Sequence, residues 1–322
     1  MIQNLRTTLA LGAVTALVLA ACGADDEATT ASGQGGEGAI EVIASFYPLA
    51  EVAERVGGDR VAVTNLTPAG SEPHDLELDP GQVADLEDAG LVVVLGGGFQ
   101  PAVEEVAARR AGPTLEVLRV LPISQEGAVE EDGHGDEEAH DHGDGEVAFD
   151  PHVWLDPALM LATLDEVTAA LVELEPDAAG VFETNAEAFR AELDALDGDY
   201  EEALSDCDRS IIVVAHDAFG RLADRYDLTQ EAIAGLSPEA EPDPARLAEL
   251  TDLVEDEGIT TVFTETLVSP RVAETLAREA GVQTAVLNPL EGLTDDQLGE
   301  GATYESVMRE NLDALTAALG CG

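Results

Sequence analysis

Short apolar runs alternate with helical stretches along this chain of 322 residues, and that order limits the folds it can adopt. The run from Leu91 to Leu95 contains only apolar residues, which is typical of a strand buried on both faces. Thr114–Val120 is expected to be a further strand. Strands that alternate with helices form parallel sheets with right-handed crossovers. Because the alternation begins at Ile40 and restarts at Ser210, the sequence predicts an α/β fold with two lobes.

A long helix is predicted between the two alternating regions. Its apolar residues recur every three or four positions from Phe182 to Leu204, which gives one face that can be buried. The pair Glu175-Pro176 should end the preceding helix, and Asp177 should cap the long one. A helix of this length spans roughly 40 Å. We expect an N-terminal lobe at 40–174, a linking helix at 175–205 and a C-terminal lobe at 206–322.

Residues 1–21 have the composition of a lipoprotein signal peptide. Their apolar run is too short for a good membrane-spanning helix. The sequence Leu19-Ala20-Ala21-Cys22 resembles a bacterial lipobox, which implies cleavage before Cys22 and attachment of lipid to its sulfur; a plain secretory signal is the alternative. Residues 22–39 are polar and rich in Gly, so they should form a flexible tether. The expected location is outside the cytoplasm, anchored by lipid to the bacterial cell membrane.

The chain is strongly acidic. It has 14 basic residues, all of them Arg, against 67 acidic ones, and a formal net charge of −53. This charge argues against electrostatic binding to nucleic acid or to an anionic lipid surface. It indicates either the hydrated surface of a salt-adapted protein or a GC-rich coding bias. We expect no nucleic-acid partner, and we expect a monomer.

Three isolated His residues stand at the edges of predicted elements. His74 and His152 each follow a Pro, and an Asp-Pro pair that can start a helix comes a few residues later. Since Pro fixes its own φ and restricts the residue before it, both imidazoles should be presented from a defined backbone. His216 directly follows the apolar run Ile211–Ala215. Three imidazoles suffice for a metal site if the fold brings them together, although each alone is as often a capping or packing residue.

Residues 124–147 interrupt the pattern with a segment rich in acids, Gly and His. It contains His134, His140 and His142, and its composition predicts a disordered loop. Such imidazoles can form a possible secondary metal loop that gathers or senses metal. A solvated insertion that binds metal only incidentally is the alternative.

Taken together, these motifs resemble those of the metal-binding lipoproteins of bacterial ABC importers for zinc and manganese. The resemblance covers nearly the whole chain after Ile40. It implies two Rossmann-like lobes joined by a long rigid helix, with one metal in the cleft between them. It also implies capture of Zn(II) for the permease of an ABC importer, without enzymatic activity. It rests on Glu72-Pro73-His74-Asp75, Asp150-Pro151-His152-Val153-Trp154-Leu155-Asp156-Pro157, His216-Asp217-Ala218-Phe219, Phe263-Thr264-Glu265, Asn288-Pro289-Leu290-Glu291 and Tyr304 through Asn311.

The resemblance implies the metal ligands residue by residue. His74 and His152 match two ligands from the first lobe, and His216 matches a third, which is usually a carboxylate in manganese-type members. Three imidazoles favour Zn(II) over Mn(II), and the His-rich loop is similar to one in zinc-type members. Glu291 matches the carboxylate that some zinc-type members use as a fourth ligand. The alternatives for that place are water, Glu265 and Glu72.

Carboxylates next to the ligands can orient them. Asp150 and Asp217 lie beside ligand His residues in the sequence and could hold the second ring N–H, or they could cap turns. For Glu265, an outer role of this kind is favoured over ligation.

Cys207 and Cys321 are the two Cys left after processing. Outside the cytoplasm such a pair is more typical of a disulfide than of a redox centre. Two separate thiols are the alternative.

Three other functions stay open from the sequence. A manganese-binding importer component is the first, and a metal-coordinating adhesin, whose folded domain would look the same, is the second. A zinc hydrolase could use three His and an open fourth position. Against it, the sequence has neither a His-Glu-x-x-His nor a Gly-x-Ser-x-Gly motif, and no obvious general base.

Overall fold

The computed structural model describes residues 38–123, 149–240 and 242–322, which form two lobes with one parallel four-stranded sheet each. The first lobe has the strand order β2-β1-β3-β4, and the second has the order β6-β5-β7-β8. The two lobes share one topology, and the α/β prediction is confirmed. The strands are β1 (Ile40–Ala44), β2 (Val61–Asn65), β3 (Leu91–Val94), β4 (Thr114–Glu116), β5 (Ile211–Val214), β6 (Thr229–Ala232), β7 (Thr261–Thr264) and β8 (Gln283–Val286).

Helices connect the strands and cover both sheets. Within the described ranges, none of them is long and apolar enough to cross a membrane. The first lobe contains α1 (Tyr47–Gly57), α2 (Pro80–Asp88), α3 (Pro101–Arg109), α4 (Val117–Val120) and α5 (Pro157–Leu174). The linking helix is α6 (Ala179–Leu204), and the second lobe contains α7 (Gly220–Arg225), α8 (Pro244–Asp256), α9 (Arg271–Ala280), α10 (Asp295–Glu300) and α11 (Tyr304–Leu319).

Helix α6 packs against both lobes by the face that its periodicity predicts. It lies on α1 and α5 of the first lobe and on α11 of the second. One hydrophobic cluster runs from the first lobe through α6 into the second. Burying each large apolar side chain contributes about 1.5–3 kcal/mol, so this face fixes the helix firmly. Its buried residues are Phe182, Ala186, Phe189, Leu193, Leu196, Tyr200 and Leu204.

Two local predictions were wrong. Strand β4 ends at Glu116 and the chain turns into α4, whereas a strand through Val120 was expected. Between Thr114 and Val120 the charged residues Glu116 and Arg119 lie three positions apart, and over so short a segment periodicity does not separate a strand from a helical turn. Asp177 does not cap α6, because it lies in the 3-10 turn Pro176–Ala178, and Ala178 takes the N-cap position without a side-chain hydrogen bond.

A disulfide joins the segment before β5 to the residue that follows α11. The Sγ atoms of Cys207 and Cys321 are 1.98 Å apart. The backbone N–H of Arg209 donates to the carbonyl of Leu319 over 3.1 Å, and the Arg209 side chain donates to the carbonyl of Ala318 over 3.2 Å. The end of α11 is therefore held at the amino end of the second sheet.

Candidate metal centre

Three imidazoles and one carboxylate meet between the two lobes. His74 lies in the loop after β2, and His152 directly precedes the 3-10 turn Val153–Leu155, so the first lobe supplies both. His216 follows β5 and Glu291 follows β8 in the second lobe. One potential ligand atom from each of the four residues lies within 4.8 Å of the others. Residues more than two hundred positions apart in the sequence thus form one cluster.

The topology of the second sheet explains the position of His216. Strand β5 lies between β6 and β7, so the connections to its two neighbours diverge at the carboxyl end of the sheet. Open α/β sheets bind their ligands in the crevice that forms at such a switch point. Glu265 directly follows β7, and its Oε1 is 2.7 Å from Nδ1 of His216. The crevice is therefore lined by an imidazole and the carboxylate that holds it.

The carboxylate of Glu291 lies at the centre of the cluster. Its Oε1 is 3.1 Å from Nε2 of His74 and 3.1 Å from Nε2 of His216. Nε2 of His152 is 3.4 Å from the same oxygen. Three ring nitrogens therefore point at one place, beside one carboxylate. Zinc accepts such a four-ligand set in tetrahedral geometry, with ligand bonds of about 2.0–2.2 Å.

Two atoms of the cluster are buried and left without a hydrogen bond. Within the part of the chain that the structure describes, Nε2 of His152 and Oε2 of Glu291 have no hydrogen-bond partner. The residues themselves are 0% and 1% exposed. Leaving a buried polar atom unpaired costs about 1–3 kcal/mol. A cation bound between these atoms would satisfy both of them, so their arrangement fits a metal ion.

Outer carboxylates fix the orientation of two imidazoles. Oδ1 of Asp150 is 2.8 Å from Nδ1 of His152, and Oε1 of Glu265 holds His216 in the same way. When Nδ1–H donates a hydrogen bond to a carboxylate, the proton stays on Nδ1, Nε2 is left free to bind a metal, and the ring is held in orientation. The expected orienting roles of Asp150 and Glu265 agree with these contacts.

Asp217 and Glu72 lie beside the cluster without joining it. Asp217 accepts a hydrogen bond from Gln230. The carboxylate that contacts Nδ1 of His216 belongs to Glu265 and not to Asp217. Glu72 accepts a hydrogen bond from the backbone N–H of His74, and its Oε1 is 3.8 Å from Nε2 of that ring. Burial raises the pKa of Glu72. The side chains of His74 and Glu72 are each 12% exposed, so they form the solvent-facing side of the site.

The cluster concentrates negative charge at one buried point. Burial disfavours the anion of Glu291, but the three imidazoles facing it outweigh burial and hold the pKa of this carboxyl well below its usual value. Burial also disfavours the protonated form of His216, yet Glu265 and Glu291 raise the pKa of that imidazole to about 10. Asp150 and Glu291 likewise raise the pKa of His152 against the effect of burial. The site therefore attracts a positive charge.

Aromatic rings close the site on the side of the first lobe. The ring centroid of Phe99 is 4.4 Å from that of His74, and the centroid of Trp154 is 5.1 Å from that of His152. The Trp154 ring also contacts Phe99, with centroids 5.4 Å apart. These rings exclude water and limit the movement of both imidazoles. Cys22, His134, His140 and His142, which were also predicted as functional residues, lie outside the described residues.

Two α/β lobes with three imidazoles and a carboxylate buried between them define the architecture of a bilobed metal-binding protein. Residues 42–318 match the family model described as ZnuA, the periplasmic component A of a zinc-uptake complex. The match covers most of both lobes and includes all four residues of the cluster. The chain therefore belongs to the ZnuA family.

Individual proteins of this family are similar to the chain over most of its length. It is 38% identical over 314 residues to the zinc-binding lipoprotein AdcA of Streptococcus pneumoniae serotype 4, covering 96% of this chain and 60% of AdcA. It is 35% identical over 311 residues to the high-affinity zinc uptake system protein ZnuA of Bacillus subtilis strain 168, covering 94% of each. The crystal structure of the Zn(II)-bound ZnuA-like domain of the pneumococcal AdcA has a TM-score of 0.73 and 35% identity, covering 88% of this chain and 99% of that one. The chain thus spans 60% of AdcA.

Proposed function

We propose that this chain captures one Zn(II) ion outside the cytoplasm and delivers it to the permease of an ABC importer. His74, His152, His216 and Glu291 are the proposed ligands. The observation that carries the proposal is the convergence of three Nε2 atoms on one buried carboxylate. Imidazole suits zinc better than manganese, which prefers oxygen ligands. The similarity to zinc-binding and zinc-uptake proteins supports the same metal.

The two lobes share the proposed ligands equally. His74 and His152 come from the first, and His216 and Glu291 come from the second, so neither lobe alone holds more than two. A bound ion therefore ties the lobes together, and a small separation of the lobes would release it. His74 is the ligand nearest to solvent, so the ion should enter and leave past His74 and Glu72. This arrangement suits a protein that must bind its cargo tightly and then give it up.

The proposed ligand set argues against a catalytic role for the zinc ion. A catalytic zinc keeps one coordination position open for water. With Glu291 as the fourth ligand, that position is filled by the protein. The ZnuA family is a transport family, and we propose no enzymatic activity. An adhesive function concerns the outer surface and not these four residues, and it stays a prediction.

We further propose that Cys22 carries a lipid anchor and that residues 22–39 tether the folded part to the membrane. The name of the lipoprotein AdcA supports this proposal. We also propose lobe boundaries at 40–174 and 206–322 with the linking segment 175–205, a division that the positions of the two sheets and of α6 support. We propose that the folded part acts as a monomer, because both halves of the ligand set come from one chain.

Titration of the purified protein tests the proposed function. The chain lacking residues 1–22 should bind one Zn(II) tightly in competition with a chromophoric chelator, and an excess of Mn(II) should not displace it. In the bacterium, deletion of the gene should raise the zinc concentration needed for growth, and the intact gene should restore growth. Tighter binding of Mn(II) than of Zn(II), or no tight site at all, would contradict the proposal.

The His-rich segment should be dispensable for the tight site. Deletion of residues 124–146 should leave one tightly bound zinc, because the four proposed ligands lie elsewhere in the chain. The number of weakly bound zinc ions should fall, since His134, His140 and His142 are removed. Stoichiometry by metal analysis, with thermal unfolding of the metal-free protein as a control, checks this result. Loss of the tight site in a folded deletion variant would show that the segment contributes a ligand.

A further inference from the structure

Glu291 is carried by a turn whose backbone is unusually constrained. The residue before it, Leu290, has φ 55° although it is not Gly. Side chains other than Gly rarely adopt this left-handed conformation, and such strain persists only where the surrounding structure enforces it. Leu290 is completely buried, so its side chain also fixes the turn. The position of the Glu291 carboxylate therefore depends on whatever holds Asn288 to Leu290 in place.

Asn311 of α11 holds the first peptide groups of this turn from both sides. Its Oδ1 accepts a hydrogen bond from the N–H of Asn288 over 2.8 Å, and its Nδ2 donates to the carbonyl of Asn288 over 2.7 Å. Oδ1 of Asn288 in turn accepts from the N–H of Leu290 over 2.8 Å. Asn311 is 2% exposed, so water does not compete for these bonds. One amide side chain thus anchors the backbone three residues before the proposed ligand.

The next carbonyl of the turn is held from the other lobe. Nε1 of Trp154 donates to the carbonyl of Pro289 over 2.7 Å. Trp154 lies two residues after His152, and the hydroxyl of Tyr304 donates to the Trp154 carbonyl over 2.6 Å. Tyr304 and Asn311 are seven residues apart on α11, which places them on one face of that helix. Helix α11 therefore contacts both the segment that carries His152 and the turn that carries Glu291.

We infer that Asn311 is a positioning residue for metal binding, acting through the 288–291 turn to hold the Glu291 carboxylate against the three imidazoles. This inference rests on the proposed zinc site. Asn311 bonds to the turn and not to the carboxylate, and its removal leaves two buried backbone groups of Asn288 unpaired. The turn is then free to relax from the left-handed conformation enforced at Leu290. Outer residues that orient metal ligands typically change metal affinity by 10–100-fold, and Asn311→Ala should weaken zinc binding by this amount.

A double-mutant cycle tests the inference. If Asn311 acts through Glu291, Asn311→Ala has no carboxylate left to misplace in a Glu291→Ala protein. It should then change the zinc affinity of that protein by no more than about twofold, the deviation that is usual for substitutions that do not interact. The three imidazoles should keep the affinity of that background measurable. Equal losses from Asn311→Ala with and without Glu291 would overturn the inference, because they would show a general structural effect.

Tyr200→Phe provides the matched control. The hydroxyl of Tyr200 donates to the carbonyl of Met308 on α11 over 2.7 Å, and this bond is buried. The substitution removes one buried hydrogen bond to the same helix without touching the turn. It should lower the thermal stability and leave zinc affinity within about twofold of the unaltered chain. A loss of zinc affinity as large as that of Asn311→Ala would contradict the inference.

Co(II) in place of zinc supplies a spectroscopic readout. Four-coordinate Co(II) absorbs visible light strongly and six-coordinate Co(II) weakly, so Asn311→Ala should reduce or reshape the bands while Tyr200→Phe should not. If Asn311→Ala does not fold, Asn311→Asp, which keeps the acceptor for the Asn288 N–H, takes its place in the cycle. An unchanged Co(II) spectrum with unchanged affinity would refute the inference. Failure of the unaltered chain to bind zinc would instead refute the proposed function.

Discussion

Replacing His216 with alanine should lower the zinc affinity of the chain lacking residues 1–22 by roughly two to three orders of magnitude. A four-ligand structural zinc site binds with about 10–16 kcal/mol in peptides at neutral pH, so one ligand accounts for about 2.5–4 kcal/mol, and each 1.4 kcal/mol is a factor of about ten. The loss should be large here because His216 is fully buried. The substitution also leaves the buried carboxylate of Glu265 without its imidazole partner.

His140→Ala is the matched control for this substitution. It removes one imidazole from the segment that should not supply the tight site, so the zinc affinity should stay within about twofold. Competition titration with a chelator measures both variants, and circular dichroism checks that each is folded. An affinity of His216→Ala within tenfold of the unaltered chain would argue against His216 as a ligand. Tight, stoichiometric zinc in a His74, His152 and His216 triple alanine variant lacking residues 124–146 would exclude the proposed ligand set.

The imidazoles of the site could be predicted because their signals are local. A Pro before His74 and before His152, and a buried strand before His216, are visible within a few residues of each position. Asp150, which orients His152, lies only two residues from it. Glu291 has no such local signal, since it follows β8 by several residues of irregular backbone. It entered the candidate site only through resemblance to a family.

Tertiary contacts explain what the sequence could not indicate. Glu265 holds His216 because β5 and β7 are neighbours in the sheet, although the two residues are 49 positions apart. The side chain adjacent in sequence, Asp217, bonds to Gln230 instead. Asn311 lies on a buried helix face, where the sequence shows only a polar residue in an apolar pattern. That mismatch is a usable signal, because a buried Asn requires hydrogen-bond partners.

Helix α10 was not predicted, although the sequence contains a local signal for its start. Helix α10 begins after Thr294, which forms a capping box with Gln297, and the sequence Thr-x-x-Gln is a recognised helix start. The helix has only six residues and none of them is buried, so it lacks the apolar stripe on which periodicity depends. The prediction at the β4–α4 junction was wrong because the seven residues of Thr114–Val120 are too few for their periodicity to separate a strand from a helical turn.

Removing the disulfide by the double substitution Cys207→Ser and Cys321→Ser should destabilise the folded chain by up to about 4–5 kcal/mol. The bond joins residues 114 positions apart, and closing a loop of that size restricts the unfolded chain by about that amount in chain-entropy models, which measured values often do not reach. For a chain of this size the melting temperature of the metal-free protein should fall by roughly 5–15 °C. Thermal unfolding of both proteins, each free of zinc, measures the difference.

The zinc affinity of the same variant should be unchanged, because the disulfide lies at the opposite end of the second lobe from the metal site. Cys207 precedes β5 and His216 follows it. Cys321 lies beyond the far end of α11, whose 16 residues span about 24 Å from Tyr304 beside Trp154. Thiol titration of the unfolded, unreduced chain lacking residues 1–22 supplies the control: two reactive thiols would refute the bond. A strong loss of zinc affinity in a folded double variant would instead show that the end of α11 controls the site, since helix α11 carries both Tyr304 and Asn311.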